Sequence, residues 1–333
     1  MNPSVTSLDS KSAINASCQQ SNDGKILAGI IKGVHRRLRQ ELKESGDSEL
    51  AWIKHCRNKT QLKEYAKSMH QLATEHWEQL RESNPDTSRI NWCLTFLLNY
   101  FLGNGCEIQR QKLKLNIEWP KLVLKDAKIS VLDVGSCYNP FNEYSKELDV
   151  LPIDLCPALE SVYQCDFLTV PVGEKNIIED QSILVLASNS FHCVVFSFLL
   201  EYFPSSKQRW TCCEKAQQLL MEEGVLLIIT PDSKAAHSNS KVMRSWREAL
   251  DAIGLKRIKY EKLLHAHCMA FRKTSVDPSQ QLTSQDRECL ASKMYIPQDF
   301  NNQSDSEHEE KDDIKFTEEE LAEGFTYLPM LNE

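Results

Sequence analysis

A glycine and an aspartate, each at the end of an apolar run, are the first residues of this chain suited to binding a ligand. The run within residues 131–141 (VLDVGSCYNPF) ends in Asp133 and is followed by Gly135 and a loop that contains Asn139 and Pro140. In an open α/β sheet, ligands bind beyond the carboxyl ends of the strands, and a glycine there lets a ligand approach the backbone closely. Asp154 ends a second apolar run 19 residues after Gly135, where a carboxylate can accept hydrogen bonds from both hydroxyls of a ribose. The pair predicts a pocket for a ligand that contains a nucleoside.

The glycine pattern of the first loop distinguishes between cofactors. A dinucleotide requires the full G-x-G-x-x-G, so that its pyrophosphate can lie against a helix N-terminus. Here Cys137 and Pro140 replace the later glycines. A nucleoside without phosphates therefore fits better, and S-adenosylmethionine is the common cofactor of that type.

Three further residues complete the predicted cofactor site. Asp166 and Phe167, which follow a third apolar run, offer a polar edge and an apolar wall for an adenine ring. Backbone groups at Gly135 and near Ser197 are expected to meet the ammonium and the carboxylate of the methionine end. Each feature alone is also typical of an ordinary turn or a strand-end cap. Their combination favours S-adenosylmethionine binding.

The elements that position these residues are short strands alternating with helices. Apolar runs at 129–134, 150–154, 191–198 and 225–230 are separated by loops and helical stretches, including 205–222 and 240–253, each closed by a glycine. Two further runs, 255–261 and 265–272, predict a closing pair of strands. This alternation indicates an α/β fold with a mostly parallel sheet.

The preceding residues read as a helical module. Helical spacing of apolar residues predicts helices over 25–44, from Thr60 to Leu80 and over 88–102. The first helix carries a basic face. This face could bind phosphates, or it could be an ordinary solvent-exposed helix face. The predicted organisation is a disordered leader over 1–24, a helical domain over 25–120, a Rossmann-like domain over 121–273, and a mostly disordered acidic tail with short ordered islands over 274–333.

Neither the cysteines nor the histidines predict a metal site. The 12 cysteines contain no C-x-x-C and sit mostly in apolar runs, which is typical of reduced thiols in a cytosolic or nuclear protein. His265, His267 and Cys268 fall in an alternating run, so neighbouring side chains point to opposite faces of a strand. We expect a structural strand there, with no metal ligands.

Charge is concentrated at the carboxyl end. The formal net charge is −8, but residues 301–333 alone contain eleven acidic and two basic side chains, or −9, which leaves +1 for the rest. Nucleic acid binding is therefore neither demanded nor excluded by composition. The sequence contains no long apolar segment and no signal-peptide core, so neither membrane insertion nor secretion is expected.

Several long motifs carry a resemblance to a known family. They are VLDVGSCYNPF (131–141), ESVYQCDF (160–167), VVFSFLLEYFP (194–204), LLIITPDS (226–233), YIPQDF (295–300) and GFTYLP (324–329). Together they closely resemble the S-adenosylmethionine sensors upstream of TOR complex 1, a family related to fungal large-subunit ribosomal RNA adenine-N1 methyltransferases. The similarity spans nearly the whole chain after residue 25.

The resemblance implies a fold, a site and a role. The fold would be a Rossmann-like class I methyltransferase sheet preceded by an all-helical N-terminal domain. The cofactor contacts would be Gly135, Asp154, Asp166, Phe167 and Ser197. In the family, the ligand-free protein associates with the GATOR and KICSTOR complexes and restrains TOR signalling, and S-adenosylmethionine disrupts that association. A cytoplasmic protein, recruited to the lysosomal surface through its partners, is expected.

An enzymatic function is the alternative. The same pocket would serve an S-adenosylmethionine-dependent rRNA adenine-N1 methyltransferase, with the basic face of the first helix gripping RNA. The segment FSFLLEYFP lacks the N/D-P-P-Y/F pattern of many exocyclic-amine methyltransferases. Transfer to a ring nitrogen needs mainly positioning, so this departure leaves catalysis open and assigns no catalytic residue.

Overall fold

The computed structural model describes residues 8–77, 83–112, 128–232, 236–274 and 281–300. The helices are α1 (Leu8–Ser45), α2 (Ser48–Arg57), α3 (Lys59–Leu72), α4 (Arg89–Leu97), α5 (Gly105–Lys112), α6 (Ser206–Leu219), α7 (Ala236–Asp251) and α8 (Ser284–Ser292). The strands are β1 (Ile129–Val134), β2 (Leu148–Asp154), β3 (Tyr163–Gln164), β4 (Val172–Gly173), β5 (Ile177–Glu179), β6 (Ser182–Ala187), β7 (Phe191–Ser197), β8 (Leu220–Pro231), β9 (Leu255–Lys262) and β10 (Ala266–Lys273).

The sheet has the order β4-β6-β3-β2-β1-β7-β8-β10-β9, with β5 antiparallel on β6. β1 pairs in parallel with both β2 and β7, and β7 pairs in parallel with β8. β10 runs antiparallel between β8 and β9. The chain therefore reverses its direction of winding between β1 and β7, and this switch point opens a crevice at the carboxyl edge of the sheet. The predicted mostly parallel sheet and closing strand pair are confirmed.

The N-terminal helices begin at polar caps. The Asp47 carboxylate accepts hydrogen bonds from the first turn of α2, at 2.8 Å from the Glu49 amide, and α2 is a helix that the sequence analysis did not propose. Asn58, rather than Thr60, caps α3, and Ser88 caps α4. The second helix, predicted from Thr60 to Leu80, is observed as α3 and continues as a wider helical turn over Ala73–Trp77, and residues 78–80 lie outside the described residues.

The first helix is longer than expected. α1 begins at Leu8, so residues 8–24, which the sequence analysis placed in a disordered leader, are helical. No proline interrupts the stretch, and a helix that is already nucleated gains one hydrogen bond for each residue added. Residues 1–7 lie outside the described residues.

Strand β8 corrects a second boundary. The helix expected over 205–222 ends at Leu219, and β8 begins at Leu220 and runs through Gly224, which therefore closes no helix. Glu223 has a φ of +67° and is buried, and its carboxylate receives the Arg272 guanidinium, with Nε of Arg272 at 3.1 Å. This buried ion pair fixes the irregular start of β8 against β10, a tertiary contact that local spacing does not report.

Part of the predicted tail belongs to the folded body. Met294 and Ile296 are buried, and the side chain of Arg209 in α6 donates to the Met294 carbonyl oxygen at 2.6 Å and pairs with Asp299. Residues 284–300 are thus an ordered segment packed on α6 and α7, while residues 301–333, with the acidic run and GFTYLP, lie outside the described residues. Among the described residues, no helix is both long enough and apolar enough to cross a membrane.

Candidate functional site

A cavity opens at the carboxyl ends of β1, β2 and β7. Its floor is the edge of the sheet, and its remaining walls include residues of α2, α3 and α4. All the residues predicted to contact a cofactor line it, namely Gly135, Asp154, Asp166, Phe167 and Ser197. The structure thus brings together side chains that are as many as 62 positions apart (135 to 197) in the sequence.

Asp154 ends β2, and hydrogen bonds within the protein use half of the acceptor positions of its carboxylate. One oxygen accepts from the Cys137 amide at 3.0 Å, and the other from the Cys156 amide at 2.8 Å. Burial raises the pKa of Asp154 to about 6, although these two hydrogen bonds act in the opposite direction. A carboxylate has about four acceptor positions, so two acceptor positions remain for a ligand.

Gly135 occupies a backbone conformation that side chains disfavour. Its φ is +76°, and a Cβ atom added there would lie 3.0 Å from Cδ1 of Leu199. Cys137 and Asn139 also have positive φ values, of 58° and 57°. The loop after β1 is therefore tightly curved, and it turns its backbone toward the cavity at the place where a glycine leaves room.

Asp166 connects the sheet to the helical region. Its Oδ2 atom accepts a hydrogen bond from Nε1 of Trp52 in α2 at 3.0 Å, and its Oδ1 atom accepts from the Leu168 amide at 3.0 Å. The next residue, Phe167, is buried and packs edge to face on Phe196, with 5.6 Å between ring centroids. The polar edge and the apolar wall expected for an adenine are both present, and the Trp52 contact ties that edge to α2.

Ser197 is held by an arginine that the sequence analysis passed over. Nε of Arg89, the first residue of α4, donates to the Ser197 hydroxyl at 3.0 Å. The guanidinium also lies 5.4 Å from the centre of the Phe198 ring. Arg89 lines the cavity, so it places a permanent positive charge beside the end of β7. Only tertiary packing of α4 on the sheet shows this, because no local motif marks the residue.

Asp133 is a second residue that the sequence analysis noted without assigning. It lines the cavity, is 3% exposed, and its Oδ2 atom has no hydrogen-bond partner among the described residues. Burial raises its pKa to about 6, with Ser136 and Arg89 acting in the opposite direction. A buried carboxylate oxygen without a partner is costly unless a donor or a cation reaches it. Its position at the end of β1, two residues before Gly135, was the available signal.

The helical wall is built from interlocked aromatic and histidine side chains. Nε2 of His35 lies 3.1 Å from the Tyr65 hydroxyl, and His55 contacts the Tyr202 hydroxyl. The Tyr65 and Tyr202 rings meet edge to face at 5.2 Å, and Tyr202 also packs on Trp52. Burial lowers the pKa of His35 to about 3 and that of His55 to about 4. Both histidines are therefore neutral at physiological pH, and the wall carries no histidine charge.

The residues considered for metal binding have structural roles. His267 and Cys268 lie in β10, and His267 bonds to Asp232 and to the Tyr260 hydroxyl. Within the described ranges, no group of three or more His, Cys, Asp or Glu side chains is placed to hold a metal ion.

The sheet order, the antiparallel closing strand and the cavity beyond β1 and β2 define a class I methyltransferase fold, behind an N-terminal helical region. The predicted fold class is confirmed. The family model described as 25S rRNA (adenine(2142)-N(1))-methyltransferase, Bmt2, matches residues 108–302. The chain belongs to this family.

Curated relatives cover almost the whole chain. The "S-adenosylmethionine sensor upstream of mTORC1" of Xenopus tropicalis is 38% identical over 94% of this chain and 86% of its own length. The protein of the same name from Danio rerio is 37% identical over 91% of this chain and 84% of its own. The resemblance drawn from the motifs is thereby confirmed, and both relatives are named for the predicted cofactor, S-adenosylmethionine.

Solved structures give more distant matches. One is the 1,6-didemethyltoxoflavin-N1-methyltransferase of Burkholderia thailandensis with bound S-adenosylhomocysteine, at 15% identity, a TM-score of 0.33, and coverage of 51% of this chain and 76% of that one. Another is the N-methyltransferase NodS of Bradyrhizobium japonicum, also with S-adenosylhomocysteine, at 16% identity, a TM-score of 0.32, and coverage of 51% and 87%.

Proposed function

We propose that this protein binds S-adenosylmethionine in the cavity beyond β1 and β2 and acts as a sensor of that ligand upstream of mTORC1. The observation that carries the proposal is the half-buried Asp154 carboxylate at the cavity floor, with two acceptor positions left by its backbone hydrogen bonds. Family membership and the names of the curated relatives support the same ligand.

The charges around the cavity suit the two ends of this ligand. The ribose hydroxyls would donate to Asp154, and the adenine would lie between the Asp166 edge and the Phe167 wall. The oxygen of Asp133 that lacks a described partner would receive the ligand ammonium, and the Arg89 guanidinium would face its carboxylate. The narrow space at Gly135 then becomes the path of the methionine chain.

The composition of the cavity walls supports a conformational sensing step. Because α2, α3 and α4 supply one side and the sheet supplies the other, a bound ligand bridges the two and favours the arrangement in which they are closed. If the ligand-free arrangement exposes the surface that binds the GATOR and KICSTOR complexes, ligand and partner weaken each other by the same factor. In this proposal the ligand-free protein restrains mTORC1 signalling.

Two measurements test the proposal. Calorimetric titration of the full-length protein with S-adenosylmethionine and with S-adenosylhomocysteine should show saturable binding, and pull-down of the GATOR and KICSTOR complexes should decrease as S-adenosylmethionine rises. Asp154→Ala should retain the partners at all ligand concentrations, whereas Asp149→Ala, an exposed aspartate on the same strand, should behave as wild type. Binding of the ligand with no change in the pull-down would leave the site standing and refute the sensor.

An rRNA adenine-N1 methyltransferase is the second candidate, favoured by the family model over residues 108–302. Such an enzyme must hold RNA phosphates, and its RNA affinity should fall steeply as salt rises. Filter binding with large-subunit rRNA fragments over a salt series, with transfer of a labelled methyl group as readout, separates the two candidates. Methyl transfer to an adenine would establish the enzyme.

A further inference from the structure

A second cavity lies on the other side of β8, between α7 and β9. We call this cavity the basic pocket. The charged and aromatic side chains that line it are Arg244, Arg247, Arg257, Tyr260, Lys262 and His267. Its volume is about 590 Å³, which is large enough for a ligand of nucleotide size. None of these residues lines the cavity of the proposed cofactor site.

The helix side of the basic pocket follows from spacing. Ser240, Arg244 and Arg247 stand at positions i, i+4 and i+7 of α7, and therefore share one face. Both arginines are exposed, while Trp246 on the opposite face is fully buried and donates from Nε1 to the Tyr295 carbonyl oxygen at 2.9 Å. The buried Trp246 thus holds α7 in place, and α7 positions the two guanidinium groups at the opening of the pocket.

The strand side follows from an irregularity in the sheet. In β9, Tyr260 pairs with Met269 and Lys259 with Ala270, but the next pair is Arg257 with Phe271, so one residue of β9 is skipped. An extra residue reverses the alternation of faces. Arg257 therefore joins Tyr260 and Lys262 on one face, and its guanidinium lies 5.6 Å from the centre of the Tyr260 ring.

The positive charge of the pocket exceeds its local compensation. Lys262 is paired with Asp232 at 2.7 Å, but within the described part of the chain no carboxylate lies within ion-pair distance of Arg244, Arg247 or Arg257. The nearest acids are engaged elsewhere, since Glu248 binds Lys293 at 2.8 Å and Asp251 pairs with Lys256 at 3.4 Å. Burial lowers the pKa of Arg257 and the charge of Arg247 lowers it further, while Tyr260 and Asp251 act in the opposite direction.

The pocket also contains a platform for a planar group. The Tyr260 ring is 45% exposed and stacks on the His267 ring, with centroids 5.9 Å apart and planes at 19°. The ring is held in place by the bond of 2.8 Å between its hydroxyl and Nδ1 of His267. An exposed aromatic ring beside arginines is suited to stacking one base while the arginines bind phosphate.

We propose that the basic pocket binds a nucleoside polyphosphate, with the base on Tyr260 and the phosphates on Arg244, Arg247 and Arg257. A single phosphate carries a charge of about −1.5 to −2, which does not match three uncompensated guanidinium groups, so a ligand with more than one phosphate is the better fit. One exposed ring accommodates one base, which favours a free nucleotide over a strand of RNA.

The test uses the full-length protein saturated with S-adenosylmethionine, so that the proposed cofactor site does not take up the probes, and four probes: ATP, inorganic tripolyphosphate, adenosine and an adenine oligonucleotide without terminal phosphates. ATP should bind with measurable heat, tripolyphosphate more weakly, and adenosine not detectably. Arg244→Gln and Arg247→Gln should each weaken ATP by about tenfold, whereas Lys241→Gln, which removes one exposed charge from the same helix outside the pocket, should leave ATP binding within about twofold. Tyr260→Ala should weaken ATP and leave tripolyphosphate unchanged.

Four results would overturn the inference. They are no ATP binding at millimolar concentration, equal losses in Arg247→Gln and Lys241→Gln, equal affinity for ATP and tripolyphosphate, and preference for the adenine oligonucleotide over ATP. Unchanged thermal unfolding of each variant shows that it is folded. Titration with S-adenosylmethionine in parallel keeps this result independent of the proposed cofactor site.

Discussion

Replacing Asp154 tests the core of the proposed site. The structure gives its carboxylate two backbone hydrogen bonds, from the amides of Cys137 and Cys156, and leaves two acceptor positions toward the cavity. A hydrogen bond to a charged group contributes about 1.5–3 kcal/mol. Loss of both ribose hydrogen bonds in Asp154→Ala should therefore weaken S-adenosylmethionine by at least about 2 kcal/mol, or roughly thirtyfold in Kd.

The assay is calorimetric titration of Asp154→Ala beside Asp154→Asn and the exposed control Asp149→Ala. The alanine variant also strands two backbone amides, so thermal unfolding must accompany the titration to separate loss of folding from loss of binding. Asp154→Asn keeps the shape and loses the charge, and should fall between wild type and alanine. Wild-type affinity in a folded Asp154→Ala protein would refute the ribose assignment.

The pH dependence of the same titration is a further check on Asp154. Burial raises the pKa of this carboxyl to about 6, so the charged acceptor is present at pH 7.5 and is lost as the pH falls through about 6. Wild-type affinity should decrease over that window. A flat profile between pH 7.5 and 5 would show that the ionised carboxylate does not contact the ligand.

The remaining predictions concern neighbouring positions. Gly135→Ala should destabilise the protein by about 1–2 kcal/mol, because φ is +76°, and should also weaken the binding of S-adenosylmethionine. Thermal unfolding measures the first effect and calorimetry the second, and an unchanged melting temperature would contradict the backbone strain. The pKa of Asp133 is raised to about 6 from an ordinary 3.8, so its contribution to stability is present below about pH 4 and lost as the pH rises through 6. Over that pH range, the melting temperature of the ligand-free protein should fall less in Asp133→Asn than in the wild type. Equal dependence of the two melting temperatures on pH would count against the assignment. Trp52→Phe removes the hydrogen bond to Asp166 and should weaken the ligand by about 1 kcal/mol, with Trp246→Phe, distant from the cavity, as the calorimetric control. Truncation after Phe300 should leave the S-adenosylmethionine titration unchanged, since the acidic residues beyond it are too charged to line the cavity, and a loss above about tenfold would show that the tail reaches the site.

The sequence by itself determined the sheet and the residues on its edge. Strands of a parallel sheet are buried on both faces, so β1 and β7 are largely apolar runs that stand out locally. Since their carboxyl ends must meet at one edge, Gly135, Asp154 and Ser197 could be grouped before any coordinates, and the structure places all three in one cavity. Their contacts with the ligand remain a proposal.

Tertiary structure decided what faces that edge. Arg89 and Trp52 lie in helices whose spacing gives no information on which part of the sheet they reach, yet one binds Ser197 and the other Asp166. The start of β8 depended in the same way on a partner, because buried Glu223 is stabilised by Arg272, which is 49 positions away. Local periodicity indicates which face of a helix or strand is buried. The partner of each side chain depends on how distant elements pack, and this packing is decided only when the chain folds.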